Sequence, residues 1–424
     1  MTGTPQYIRN LNENLIMDAL INQGSMSRAD ISRHTGLSKP TVSSAVEHLI
    51  ERNLVKETGR ADNAQGRKAT LIQFNETAYY VCGVDIGATQ IRIALSDLSG
   101  QIIAYATYPP MDQGMKGMPE REPVQSYGDT ETESGIETSD SSEMPVLHKL
   151  YSYVDQLLQK NRLQWKDIRC IGFGIPGVVL PGSGKISRIV DPLAGMEQQF
   201  SRDALANAFP CDVLLDNDVN LAALGEYRRG AAMESPLFVF FSIGAGTGAG
   251  IMVHGHLLHG LGGLTGEVAE MLMEDGQRLE DVLSAEGLMQ LTKRHHQKNG
   301  EVSGLHTRTL DSHTANHSPK TIFEAARSGE VWAIDIMKEY SKMIASALRQ
   351  ISTLLAPELI VLGGGIGGNG DVLLPLLRKA AAEQFPVQPQ LTCSDLGEQA
   401  VVTGAVQVAL QQTLLNLQQE ALEE

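Results

Sequence analysis

The chain has 424 residues, is 42% hydrophobic and carries a formal net charge of −16. That length predicts two or three domains with a sizeable core, and the acidity excludes a protein that coats nucleic acid through bulk positive charge. The sequence shows no long apolar run and no basic-then-apolar leader, and Cys82, Cys170, Cys211 and Cys393 lie far apart, so buried thiols in a reducing cytoplasm without membrane contact are expected.

An amphipathic segment with Ile8, Leu11, Leu15, Ile16, Met17 and Leu20 predicts a first helix. Ser27 and Asp30 have the spacing of a capping box, so a second, short helix starts there. Gly36 ends it by taking the left-handed conformation. Ser38 caps a third helix, with Pro40 in its first turn. On that helix Val42, Ala45, Val46, Leu49 and Ile50 form one apolar stripe, while Lys39, Thr41, Ser43, Ser44, Glu47 and His48 face the other way. Short hydroxyls beside a lysine can approach base edges in a major groove without steric conflict. Leu54–Glu57 and Ala69–Phe74 read as strands flanking a polar loop, Gly59 to Lys68. The loop's Gly66-Arg67-Lys68 tip can enter a minor groove. Residues 1–78 therefore read as a winged helix-turn-helix that binds double-stranded DNA. Ser38, Lys39, Thr41, Ser43, Ser44, His48, Arg67 and Lys68 are its candidate contacts. A helical hairpin used only for protein contact is the plainer alternative. Residues 1–80 hold 9 Lys/Arg and 8 Asp/Glu, so this module is spared the acidity of the rest. Its own charge gives weak phosphate attraction, which predicts two copies on one site, a homodimer.

Residues 79–424 read as a second, α/β region. Tyr79 to Asp85 is a strand ending in a carboxylate and a glycine turn, followed by strands at 90–97 and 101–108. Residues 111–145 hold 9 acidic and 2 basic residues among Gly, Ser, Thr and Pro, the composition of a solvated, disordered insertion. A helix resumes at Val146, a strand runs from Arg169 to Ile175, and a strand at Val213–Asp216 leads into a helix at Val219–Arg229. Leu237–Ser242 and Gly250–Val253 form another hairpin. Lys293 to Pro319, rich in His, Asn, Thr and Ser, reads as a polar loop whose irregular histidine spacing does not point to metal. Leu359–Leu362 is a late strand ending in glycines. The pattern of strand, glycine turn, strand occurs twice, which predicts two related lobes with a cleft between them.

Three glycine-rich turns follow strands: Asp85-Ile-Gly-Ala-Thr-Gln-Ile-Arg92, Gly244-Ala-Gly-Thr-Gly-Ala-Gly250 and Gly363-Gly-Gly-Ile-Gly367. Backbone amides at such turns can cradle phosphate. Together with Leu215-Asp-Asn-Asp-Val-Asn220 ahead of a helix, they resemble the ROK family of sugar kinases and sugar-responsive repressors. Within it the chain is similar to the xylose- and N-acetylglucosamine-repressor type, because it carries the winged helix that the kinases lack. The resemblance covers nearly the whole chain and implies a two-lobed actin-like, sugar-kinase (ribonuclease H-like) domain over 79–424. It implies that Asp85, Gly87 and Thr89 match a first phosphate loop, Gly244, Gly246 and Gly248 a second, and Gly364 and Gly365 a loop near adenosine. It also implies that Asn217 and Asp218 match the family's Asn-Asp pair, whose aspartate is the kinase base, and that Glu267 and Glu280 match sugar-binding glutamates. A plainer reading has Asp216 and Asp218 merely capping the helix near Val219.

The departures are informative. Glu270 stands where the family has a zinc- or sugar-binding histidine, leaving it as a candidate effector contact. Met271 to Leu279 contains no cysteine, so no zinc is expected. Ala88 and Ala245 replace a glycine and a threonine of the phosphate loops, and Pro192 replaces a sugar-binding asparagine. Phosphoryl transfer depends on positioning and electrostatics, so these losses argue against ATP-dependent catalysis. The leading expectation is a transcriptional repressor of carbohydrate metabolism, controlled by a sugar effector and using no cofactor. The alternatives are a sugar kinase with Asp218 as base, and a constitutive DNA-binding protein without a ligand.

Overall fold

The structure, a computed structural model, describes residues 5–60, 69–111, 145–189, 193–303, 317–384 and 388–423. The wing tip with Arg67 and Lys68, Pro192, and nearly all of the acidic 111–145 stretch lie outside the described residues. The chain divides into two compact units. One is Met1–Phe173 with Gln198–Leu214 and Val406–Glu424; the other is Gly174–Glu197 with Leu215–Ala405.

The first unit opens with α1 (Pro5–Gln23), β1 (Met26–Ser27), α2 (Arg28–Thr35), α3 (Lys39–Glu51), β2 (Val55–Arg60) and β3 (Thr70–Phe74). Ser27 and Asp30 form the expected capping box, Gly36 is left-handed at φ 73°, and Ser38 Oγ accepts the Thr41 amide. β2 and β3 pair antiparallel, and β1 adds a third strand on β3 that the sequence reading did not include. Ile16, Met17, Leu20, Ile31, Val42, Val46, Leu49 and Ile72 make the core of this winged helix. Two expectations are corrected. Ile8, Leu11 and Leu15 are about half exposed, and Ile50 also faces solvent. At about 100° per residue, Ile8, Leu11 and Leu15 lie opposite the face that buries Ile16 and Leu20. That inward face takes Asn10 and Glu13 instead.

Next come β4 (Tyr80–Ile86), β5 (Ile91–Asp97), β6 (Ile102–Tyr108), α4 (Pro145–Lys160), β7 (Ile168–Ile175), β8 (Gly177–Val179), β9 (Ile186–Ile189), α5 (Arg202–Ala208) and β10 (Asp212–Asn217). A five-stranded sheet has the order β10-β7-β4-β5-β6, and β8 pairs β9 in a separate ribbon. The C-terminal helix Ala400–Glu423 reaches the winged helix. Leu417 O accepts from Arg52 at 3.1 Å, and Gln418 bonds both Asn14 and Asp18. Gly397–Glu420 is long and apolar enough to cross a membrane by length and composition, but Val402, Ala405, Val406 and Ala409 are wholly buried in the fold. It is a core helix here.

The second unit, which takes in β8 and β9, continues with α6 (Asp218–Arg229), β11 (Leu237–Ile243), β12 (Thr247–Val253), β13 (His256–Leu257), α7 (Leu279–Leu283) and α8 (Ala285–Ser303). A helix Val331–Leu355, β14 (Leu359–Gly363) and β15 (Gln390–Cys393) follow. Its sheet runs β13-β12-β11-β14-β15, with β11–β12 antiparallel and β11–β14–β15 parallel. Each five-stranded sheet thus contains an antiparallel hairpin closed by a glycine turn, β4–β5 and β11–β12, the repeat expected from the sequence. The polar-loop reading of Lys293–Pro319 is corrected in part. α8 continues to Ser303, and the next helix starts at Pro319 behind the Ser318 cap. Leu288 and Leu291 are buried, and once packing secures those turns, propagation through the polar residues is cheap.

Candidate functional site

Two sets of residues carry the candidate function. The first is the outward face of α3. Lys39, Ser44 and Glu47 are exposed, and Thr41 and Ser43 are half-buried. The Ser38 hydroxyl lies 2.7 Å from Thr41 Oγ1 as well as capping the helix. His48 is placed differently from the other predicted contacts: its Nδ1 sits 2.8 Å from Oε1 of Glu13, a wholly buried carboxylate. Arg52 approaches the other oxygen of Glu13 at 3.5 Å. A buried carboxylate needs such partners, so His48 supports Glu13 through Nδ1 while its side chain stays 30% exposed.

The second set lies in the second unit, where three consecutive residues of β12 gather the predicted effector segments. The Thr247 amide donates to Glu280 Oε2 at 2.8 Å. Gly248 lets Val219 pack against the strand; a Cβ there would lie 3.1 Å from Val219 Cγ2. That contact places the start of α6, with Asn217 and Asp218, beside β12. The Ala249 amide donates to Gly266 O at 2.9 Å, which sets Glu267 one residue further on. Gly266 itself is at φ 90°. Asn217, Asp218, Glu267 and Glu280 are therefore assembled by one strand.

Local chemistry fixes their orientation. Asn217, not an aspartate, is the cap of α6: its Oδ1 accepts from the Val219 and Asn220 amides at 2.8 and 3.0 Å, and its Nδ2 donates to Gly177 O at 3.0 Å. The capping role weighed for Asp216 and Asp218 thus falls to Asn217, with Asp218 as the first helical residue. Burial pushes the Glu280 carboxyl up from its ordinary value, opposed by the Thr247 amide. Glu270 is half exposed and pairs with Arg278 at 3.5 Å. Arg278 also chelates Asp281, at 3.0 and 3.2 Å.

Where the family resemblance implies a zinc loop, a short hairpin is closed instead by the Leu272–Arg278 bridge and by the Met271 carbonyl accepting the Leu279 amide. Glu270 and Arg278 offer no thiolate or imidazole, so these residues do not fit a zinc ion. The second and third glycine turns adjoin: a Cβ at Gly244 would lie 3.4 Å from the Gly365 amide. The Thr247 amide, however, already meets the Glu280 carboxylate, and Gly246 lies against the same group. An anion of the chain itself occupies that position, which does not fit a nucleotide phosphate. In the first unit, Asp85 is buried and paired with Arg92 at 3.2 Å, and Gly87 has no room for a Cβ beside Gln90 O. Thr89 is exposed.

Sequence reasoning missed two groups. His259 Nε2 lies 2.8 Å from Asp216 Oδ2, and this bond, with the Asp216 charge and the Leu257 carbonyl, raises the imidazole's pKa against the lowering effect of burial. Glu226 is wholly buried at the other end of α6 and accepts from the Ala231 and Leu396 amides at 2.7 and 3.1 Å. A histidine just before a glycine-rich loop was a weak signal for the first; nothing local marked the second.

Comparison with known proteins bears on both sets. A family model described as ROK family matches residues 128–412, and one described as MarR family matches residues 11–67. A xylose repressor of Caldicellulosiruptor bescii is 23% identical over 97% of this chain and 98% of its own length. The DNA-binding transcriptional dual regulator NagC of Escherichia coli is 25% identical over 90% and 87%. Among solved structures, a ROK family transcriptional regulator homologous to the E. coli MLC protein covers 98% of this chain and 100% of its own, with a TM-score of 0.72 and 22% identity. A ROK family glucokinase from Streptomyces griseus, in complex with glucose and AMPPNP, covers 78% and 99%, with a TM-score of 0.60 and 21% identity.

Proposed function

The chain belongs to the ROK family, and from that premise we propose that it is a sequence-specific transcriptional repressor of carbohydrate-metabolism genes, released or recruited by a sugar. Its winged helix reads the operator as a homodimer, with Lys39 on phosphate and Ser43 and Ser44 at base edges. The effector is a sugar held by Asp218, Glu267 and Glu280, whose carboxylates accept from sugar hydroxyls. One observation carries the reading: a capped winged helix stands ahead of a sugar-kinase fold in which Glu280 already occupies an amide of the second glycine turn. The xylose repressor and the N-acetylglucosamine repressors to which the chain is similar along most of its length make D-xylose and N-acetyl-D-glucosamine the first effectors to try.

The effector acts by population shift: it binds one arrangement of the dimer better, and the spacing of the two recognition helices changes with it. Selection of binding sites from a random duplex pool, then fluorescence anisotropy with and without each sugar, tests this. A selected palindrome whose affinity changes with a sugar is expected. No selected sequence, or brisk ADP formation from ATP and a hexose, lost in Asp218→Asn, would turn the reading toward a sugar kinase.

A further inference from the structure

We propose that His259 is a positioning residue of the sugar site, pinning the loop that carries Glu267 to the start of α6; this rests on the effector reading above. The loop from Leu258 to Gly266 has four glycines in the left-handed region, at 260, 262, 263 and 266, and such a segment has little stiffness of its own. Its backbone is tied to β12 at both ends. Leu258 donates to Ile251 O, and Gly266 O accepts from Ala249, each at 2.9 Å. Those bonds fix the loop's two ends on the strand against which α6 also packs, but neither is a direct link between the loop and the turn before α6.

The His259–Asp216 bond is such a link. Asp216 is aligned by the same turn that presents Asp218: its Oδ1 accepts from the Asn217 amide at 2.7 Å and from Asn220 Nδ2 at 3.2 Å. Its other oxygen is left for the imidazole. Within the loop, His259 O accepts the Thr265 amide at 3.2 Å, so the ring's anchorage is passed directly to the residue two before Glu267. One side chain thus couples the two carboxylate arms of the site, Asp218 on α6 and Glu267 on the loop. A sugar bridging both arms needs their spacing preset, because ordering a glycine loop on binding costs affinity.

The test uses the full-length chain with D-xylose and N-acetyl-D-glucosamine as probes, measured by calorimetry and thermal shift. In His259→Ala the dissociation constant of the sugar that binds wild type rises about tenfold, the scale of one lost hydrogen bond to a charged group. His259→Gln, whose amide can still donate to Asp216, recovers binding to within about threefold. Operator affinity without sugar is unchanged in both. A His259→Ala chain that binds sugar as tightly as wild type, or a His259→Gln chain no better than His259→Ala, overturns the inference while leaving the effector reading standing. Wild type that binds neither sugar overturns both.

Discussion

Gly266 is the point at which the site's geometry is most sharply testable. Its φ of 90° is a conformation that side chains other than glycine adopt only with strain, and a Cβ placed there would lie 1.8 Å from Ala249 O. Relieving that clash requires a backbone shift of at least about 1 Å. Such a shift breaks the bond from the Ala249 amide to Gly266 O and disturbs the 2.7 Å bond from the Val268 amide to the same oxygen. The left-handed penalty of about 1–2 kcal/mol and two backbone bonds at about 1 kcal/mol each put Gly266→Ala at about 3–4 kcal/mol.

Gly262 supplies the control. It is also left-handed, at φ 63°, but a Cβ there would meet only Leu180 Cδ2 at an ordinary 3.8 Å. Gly262→Ala should therefore cost only the conformational part, about 1–2 kcal/mol. Urea unfolding of both variants reads the difference, and calorimetry with D-xylose reads its consequence for Glu267. Gly266→Ala should be less stable than Gly262→Ala by about 2 kcal/mol and should lose sugar affinity. A difference below about 1 kcal/mol would show that the strand and loop are not held in this register.

Other outcomes follow from the same contacts. Glu226→Ala strips the acceptor from the Ala231 and Leu396 amides and should cost about 3 kcal/mol by urea unfolding. Lys39→Ala should weaken binding to all duplexes and flatten the salt dependence, whereas Ser44→Ala should alter sequence preference at one position, both read by anisotropy. The His259 pKa is raised above its ordinary 6.5, so its bond to Asp216 stabilises the fold fully below that value and loses this contribution as pH rises through the folded value. The melting-temperature gap between wild type and His259→Gln should accordingly narrow from about pH 6 to about pH 9. Glu280→Gln keeps an acceptor for Thr247 without the cost of burying a charge, so thermal stability should hold while sugar affinity falls about tenfold.

Most of the reader was legible beforehand. Ser27, Asp30, Gly36 and Ser38 act within a few residues of themselves, and their caps appear where the spacing put them. The two glycine-turn hairpins were legible for the same reason. Amphipathic spacing was less decisive on α1, where two apolar faces competed: Ile16 and Leu20 went inside, while Ile8, Leu11 and Leu15 did not. The neighbouring α2, α3 and β3 choose between such faces. His48 shares the polar side of α3, and its bond to Glu13, thirty-five residues earlier, had no local signal in the sequence.

The amino-acid order alone therefore determined where turns and helix ends fall and which residue types could meet DNA or a sugar, because capping bonds and left-handed glycines are settled by neighbours along the chain. Tertiary packing decided how those pieces meet. Thr247, Gly248 and Ala249 collect Glu280, α6 and the Glu267 loop onto one strand. His259 finds Asp216 across forty-three positions. Bonds of that kind depend on which surfaces are buried together, and burial belongs to the whole fold rather than to any short stretch of it.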